Sequence, residues 1–188
     1  MMRVVFLLFA EERGLLPENQ LFAMGYGVSD ELDQLDARQN EEGDQALDAT
    51  SLTWHRLLAT SQALYQGATF EDLRLPEYGG SLFDPARFPF LTACDSQGIL
   101  ATAVSDRVML EVLRAVQIAQ LTGGARRISF RDIDVEQIGY IYEGLLGYSC
   151  ENVDEVTVGL TGSATRTRDP PGHARKPRRV QAHRDRAG

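Results

Sequence analysis

The sequence predicts a mainly α fold: a helical domain with a small two-stranded β element and a disordered basic C-terminal tail. Three observations predict it. Ile138, Ile141, Tyr142, Leu145 and Leu146 recur at i, i+3, i+4, i+7 and i+8, a helical apolar stripe. Short alternating or apolar runs over residues 128–130 and 153–160 suit strands instead. Beyond Leu160 the chain is rich in Arg, Pro, Gly and Ala with almost no large apolar residues, so it cannot bury a core. The expected organisation is a scaffold domain over 1–161 and a tail over 162–188.

In order along the chain, residues 2–13 read as a helix with Val4, Val5, Leu7 and Leu8 buried, ended by Gly14 and Pro17. It has no entry segment, which suits a chain whose upstream part is missing. Ser29 is placed to cap a short acidic helix over 30–39 anchored by Leu32 and Leu35, followed by a polar loop over 40–43. The longest predicted helix is 44–66, with Leu47, Trp54, Leu57, Leu58, Ser61, Leu64 and Tyr65 on one face and Gly67 as its stop. Trp54, the only Trp, is expected as a core anchor rather than a base-stacking platform, and His55 as a surface residue.

The phrase RLPEYGGSLFDPARFP holds paired glycines, where close backbone approach or unusual angles are allowed. A phosphate cradle needs a strand before them and a helix directly after, and Pro76 with the aromatic-rich flank argues against it. Leu82 and Phe83 should be core, with Asp84 before Pro85 making a turn. Residues 99–104 form a short apolar run, a strand or a buried lead-in. Ser105 then caps a helix from Asp106 to about Leu121, with Met109, Val112, Leu113 and Val116 as its stripe and Gly123-Gly124 as its end. Residues 128–130 are expected as a strand, pairing with 153–160. Asp134 and Gln137 form a capping box ahead of the signature stripe, and Gly147 is expected as its left-handed stop.

The net charge of −8 conceals an asymmetry. From Gly162 on, seven Arg and one Lys face Asp169 and Asp185, a balance of +6, while residues 1–161 hold 11 basic and 25 acidic side chains, or −14. An acidic body is poorly matched to independent duplex binding, where phosphate neutralisation supplies most of the affinity. Arg126, Arg127 and Arg131 form the only basic knot in this body and are the candidate nucleic-acid contacts. The bland alternative, favoured by the acidic surround, is that they neutralise helix C-termini or nearby carboxylates. Cys94 and Cys150 are the only cysteines and lack metal-ligand spacing, which favours a reduced, cytoplasmic setting. The apolar run at 4–10 meets Glu11, Glu12 and Arg13 at once and is too short for a membrane span.

Three phrases, in this order, carry a family resemblance: residues 4–17 (VVFLLFAEERGLLP), residues 79–84 (GGSLFD) and residues 128–148 (ISFRDIDVEQIGYIYEGLLGY). Together they resemble the helical region ahead of the catalytic domain in type IIG restriction–modification enzymes and PglX-like methyltransferases of BREX phage-defence systems. The resemblance covers about residues 2–160. It implies a helical segment of an adenine-specific DNA methyltransferase, broken off before its catalytic domain, with S-adenosylmethionine as cofactor of the full-length enzyme and DNA as its partner. Past that point two explanations stand: a basic tail that binds nucleic acid, or a lost reading frame, the latter favoured because family members continue into folded sequence.

The chemistry of that family is expected to be absent from this chain. It has no glycine-rich loop after a strand for S-adenosylmethionine, and Asp169-Pro170-Pro171 meets Gly172 where a base-stacking aromatic should stand. Lys176 is the only Lys and lies in the tail, as do His173 and His183, so neither a metal-dependent nuclease nor a nucleophilic triad can be assembled. No catalytic, cofactor or metal residue is therefore assigned. A stand-alone acidic helical adaptor that binds a protein partner is the alternative from another class.

Overall fold

The computed structural model describes residues 1–149 together with Arg178 and Arg179. The chain divides into two compact units, Met1–Ile133 and Asp134–Gly188. The described residues are mainly α, as expected, with small two-stranded β elements. The tail expected from residue 162, apart from Arg178 and Arg179, and the strand expected over 153–160 lie outside the described residues.

The first unit is built on α1 (Met2–Glu12), whose Val4, Val5, Leu7, Leu8, Phe9 and Ala10 are all buried. Gly14, at φ 65°, leads the chain out of it. After a short α2 (Gln20–Gly25), α3 spans Glu31–Glu42 and buries Leu32 and Leu35. Two expectations are corrected here. Ser29 does not cap α3, because its amide and hydroxyl both donate to the Glu11 carboxylate, at 2.9 and 2.5 Å. Residues 40–42 also continue the helix, which ends at Gly43 with φ 82°.

The single helix expected over 44–66 is two: α4 (Asp44–Asp48) and α5 (Leu52–Gln66). The break falls on Ala49, Thr50 and Ser51, where hydroxyl side chains compete for backbone groups. Thr50 donates its hydroxyl to Asp106 at 2.6 Å, and its carbonyl accepts the Asp106 amide at 2.8 Å. Leu47, Leu57, Ser61 and Leu64 are buried as expected, whereas Trp54, Leu58 and Tyr65 are only half-buried. Trp54 is thus no core anchor: its indole N–H reaches the Thr102 carbonyl at 3.1 Å. His55 is exposed.

A hairpin of β1 (Ala68–Phe70) and β2 (Leu73–Leu75) follows, with Leu73 and Leu75 buried. Phe83 is buried and Leu82 half-buried, while Asp84 accepts the Ala86 amide at 2.9 Å to make the expected turn. The run at 99–104 is neither a strand nor buried; it touches β structure only in one antiparallel bridge, Cys94 to Leu100.

Helix α6 runs from Asp106 to Gln117, with the Ser105 hydroxyl accepting the Val108 amide as predicted. It buries Met109, Leu110, Leu113 and Gln117, leaving Val112 and Val116 half-buried. The helix stops four residues before the expected end. Residues 118–121 are instead β3 (Ile118–Leu121), paired antiparallel with β4 (Gly124–Arg127) in the register Ile118 to Arg127. Thr122 and Gly123 make the two-residue turn, and Gly124 adopts φ 117°, so the glycine pair closes a hairpin rather than a helix. The strand expected over 128–130 is displaced accordingly: Phe130–Asp132 is a single 3-10 turn, with Phe130 buried.

The second unit contains α7 (Val135–Leu146), with the predicted capping box of Asp134 and Gln137. The Asp134 amide donates to Gln137 Oε1 at 2.8 Å. Gly147 is not left-handed; it sits at φ −72°, ψ −6°, and its amide bonds back to the Gly144 and Leu145 carbonyls. No residue of α7 is buried: Ile138, Ile141 and Leu145 are half-covered, and Tyr142 and Leu146 are exposed. The two-residue strand β5 (Tyr148–Ser149) then pairs in parallel with β6 (Arg178–Arg179).

Helices α3, α5 and α6 are locked by two buried carboxylates. Asp106 has no solvent exposure. It accepts from the Thr50 hydroxyl, from Arg38 Nη1 at 3.1 Å and from the Thr53 amide at 3.0 Å, so it caps α5 from another helix. Burial alone would raise its pKa, but bonds from Thr50, the Thr53 and Leu52 amides and Arg38 outweigh this and hold it below the usual carboxylate value. Glu31, 4% exposed, accepts the Thr53 hydroxyl at 2.7 Å and pairs with Arg56 at 2.6 Å.

Asp106→Ala uncaps α5 and takes one carboxylate from Arg38, which keeps Glu42, and should cost about 2–3 kcal/mol in urea unfolding; Thr50→Val, which removes the hydroxyl that donates to Asp106 and accepts from Arg38 Nη2, should cost about 1–2 kcal/mol. Because the folded-state pKa of Asp106 lies below the unfolded value of about 3.9, its contribution is complete above that pH and disappears as pH falls through the folded value. Asp106→Asn should therefore flatten the acid limb of the stability–pH curve. Equal acid sensitivity in wild type and variant would contradict the assignment.

Candidate functional site

Residues 79–84 and 129–133, the latter across about 120 residues of sequence, both meet α1. Its first turn holds the second phrase. Arg3 Nε donates to the Leu82 carbonyl at 3.0 Å, its guanidinium lies 5.8 Å from the Phe83 ring centroid and 5.2 Å from that of Phe88, and Phe6 meets Phe83 edge-on at 5.5 Å. Burial lowers the Arg3 pKa, and the two ring faces offer the charge a favourable surface. Tyr78 closes the same region by donating its hydroxyl to the Leu15 carbonyl at 3.1 Å.

The last turn of α1 holds the start of the third phrase. Glu12 Oε2 accepts the amides of Phe130 and Arg131 at 2.9 and 3.2 Å, with the Ser129 hydroxyl at 3.4 Å. This is a carboxylate at the free amides of the 3-10 turn, where negative charge is favoured. Arg131 Nε returns a bond to the Glu12 carbonyl at 3.2 Å, and Arg13 Nη2 donates to the Ile133 carbonyl at 2.7 Å. The neighbouring Glu11 turns to the other side and gathers the Val28 and Ser29 amides and the Ser29 hydroxyl. Burial raises its pKa, the like charge of Asp30 adds to this, and the bonds from Ser29 and Val28 oppose it.

The arginine knot does not act as one patch. Successive strand residues point to opposite faces, so Arg126 and Arg127 on β4 diverge. Arg127 is committed internally: it forks onto Asp33 at 2.9 and 2.7 Å and reaches the Ser29 carbonyl and Gln117 Oε1, both at 3.0 Å. Arg131 is tied to Glu12 through its Nε. Arg126 pairs with Ala119 through its backbone, but its exposed side chain makes no hydrogen bond or ion pair among the described residues. Arg127 thus plays the neutralising role, whereas Arg131 meets only a backbone carbonyl through its guanidinium.

An apolar cavity of about 490 Å³ opens beside α1, lined in part by Phe6, Leu15, Leu64, Tyr78 and Phe83. A more polar cleft of about 320 Å³ has Glu11, Asn19, Ser29 and Asp30 on its walls. Among the described residues no group of three His, Cys, Asp or Glu side chains is disposed to hold a metal ion, and no helix is long and apolar enough to cross a membrane.

Sequence reasoning missed Glu12, Arg3 and Asp106 as organising residues. Asp106 did show a local signal, a carboxylate at the start of a helix, but that signal names the wrong helix. Glu12→Ala should leave two amides of the 3-10 turn without their acceptor, costing about 1–3 kcal/mol locally. Native-state hydrogen exchange should show faster exchange at Phe130 and Arg131, with α3 and α6 unaffected. Unchanged rates at both amides would show that Glu12 does not hold this segment. In comparisons with known proteins, no family model, no curated protein and no solved structure matches this chain.

Proposed function

We propose that this chain is a non-catalytic helical scaffold of a site-specific, adenine-specific DNA methyltransferase of a restriction–modification or phage-defence system. In this reading it positions catalytic and DNA-recognition parts that another polypeptide region supplies. S-adenosylmethionine and the target base are bound there, and DNA is a partner of the assembled enzyme. The observation that carries the reading is the convergence on α1. AEERG bonds to SFRDI through Glu12 and Arg13, and GGSLF packs on the same helix through Arg3 and the Phe6–Phe83 ring contact.

Tagged chain recovered from its native host should bring down a protein with a glycine-rich S-adenosylmethionine loop and an Asn- or Asp-Pro-Pro-aromatic motif, identified by mass spectrometry. The purified chain alone should give no heat with S-adenosylmethionine in calorimetry. Recovery of other partners only would favour the acidic adaptor, and measurable cofactor affinity would remove the scaffold reading.

In the recovered complex, Arg126→Ala should weaken duplex binding similarly across sequences and lower the salt slope by about one. Arg127→Ala should act on stability instead, since Asp33 already neutralises that charge. A salt slope untouched by Arg126→Ala would exclude that residue as a phosphate contact.

A further inference from the structure

We draw no further inference here: the strongest candidate, the apolar cavity of about 490 Å³ between α1, α5 and the 78–83 loop, is an uncovered apolar face, and nothing in the structure shows what occupies it.

Discussion

Two carboxylates withdrawn from water constrain how α3, α5 and α6 meet in the first unit. Burying a charge costs several kcal/mol unless a cation and hydrogen-bond donors meet it in good geometry. Asp106 recruits Arg38 from α3 and a hydroxyl and an amide from the start of α5. Glu31 recruits Arg56 and Thr53 from α5 itself. Thr53 serves both acids, giving its amide to one and its hydroxyl to the other. These directional bonds add to the apolar packing in fixing one register among α3, α5 and α6. The break between α4 and α5 falls where Thr50 meets Asp106 through both its hydroxyl and its carbonyl.

The junction around α1 uses the same device nearer the surface. Consecutive glutamates at the end of one helix are split between two tasks, Glu11 securing the turn before α3 and Glu12 securing the turn after β4. Both bind backbone amides, which suits positioning rather than chemistry: an acid saturated by fixed donors is a poor proton carrier. Arg127 likewise spends its charge on Asp33. Of the three candidate DNA contacts, Arg127 is thus consumed in holding segments in place.

Helix existence was legible in the sequence wherever the 3.6-residue period was strong, as in α1, α6 and α7, and the capping box at Asp134 was read correctly. Boundaries failed where a tertiary bond overrode a local preference. Ser29 is a good helix cap in isolation, yet the half-buried Glu11 carboxylate needs its hydroxyl more. Residues 118–121 continue an acceptable helical pattern, and only their pairing with Gly124–Arg127 makes them a strand. The acid networks were illegible for the same reason: nothing near Asp106 in sequence indicates Arg38, 68 residues away. Of the candidate DNA contacts, the sequence could name the arginines but could not tell Arg126 from Arg127, since that distinction depends on where Asp33 lies.

If the buried acids set the helix register, Arg38 and Asp106 must act as a unit. A double-mutant cycle of Arg38→Ala and Asp106→Ala, followed by urea unfolding at neutral pH, measures that coupling directly. The account predicts strong non-additivity, with the double variant losing less than the two single losses combined by at least about 1 kcal/mol. Losses that simply add would mean that the two side chains stabilise the fold independently, and that the helices are held in register by something else.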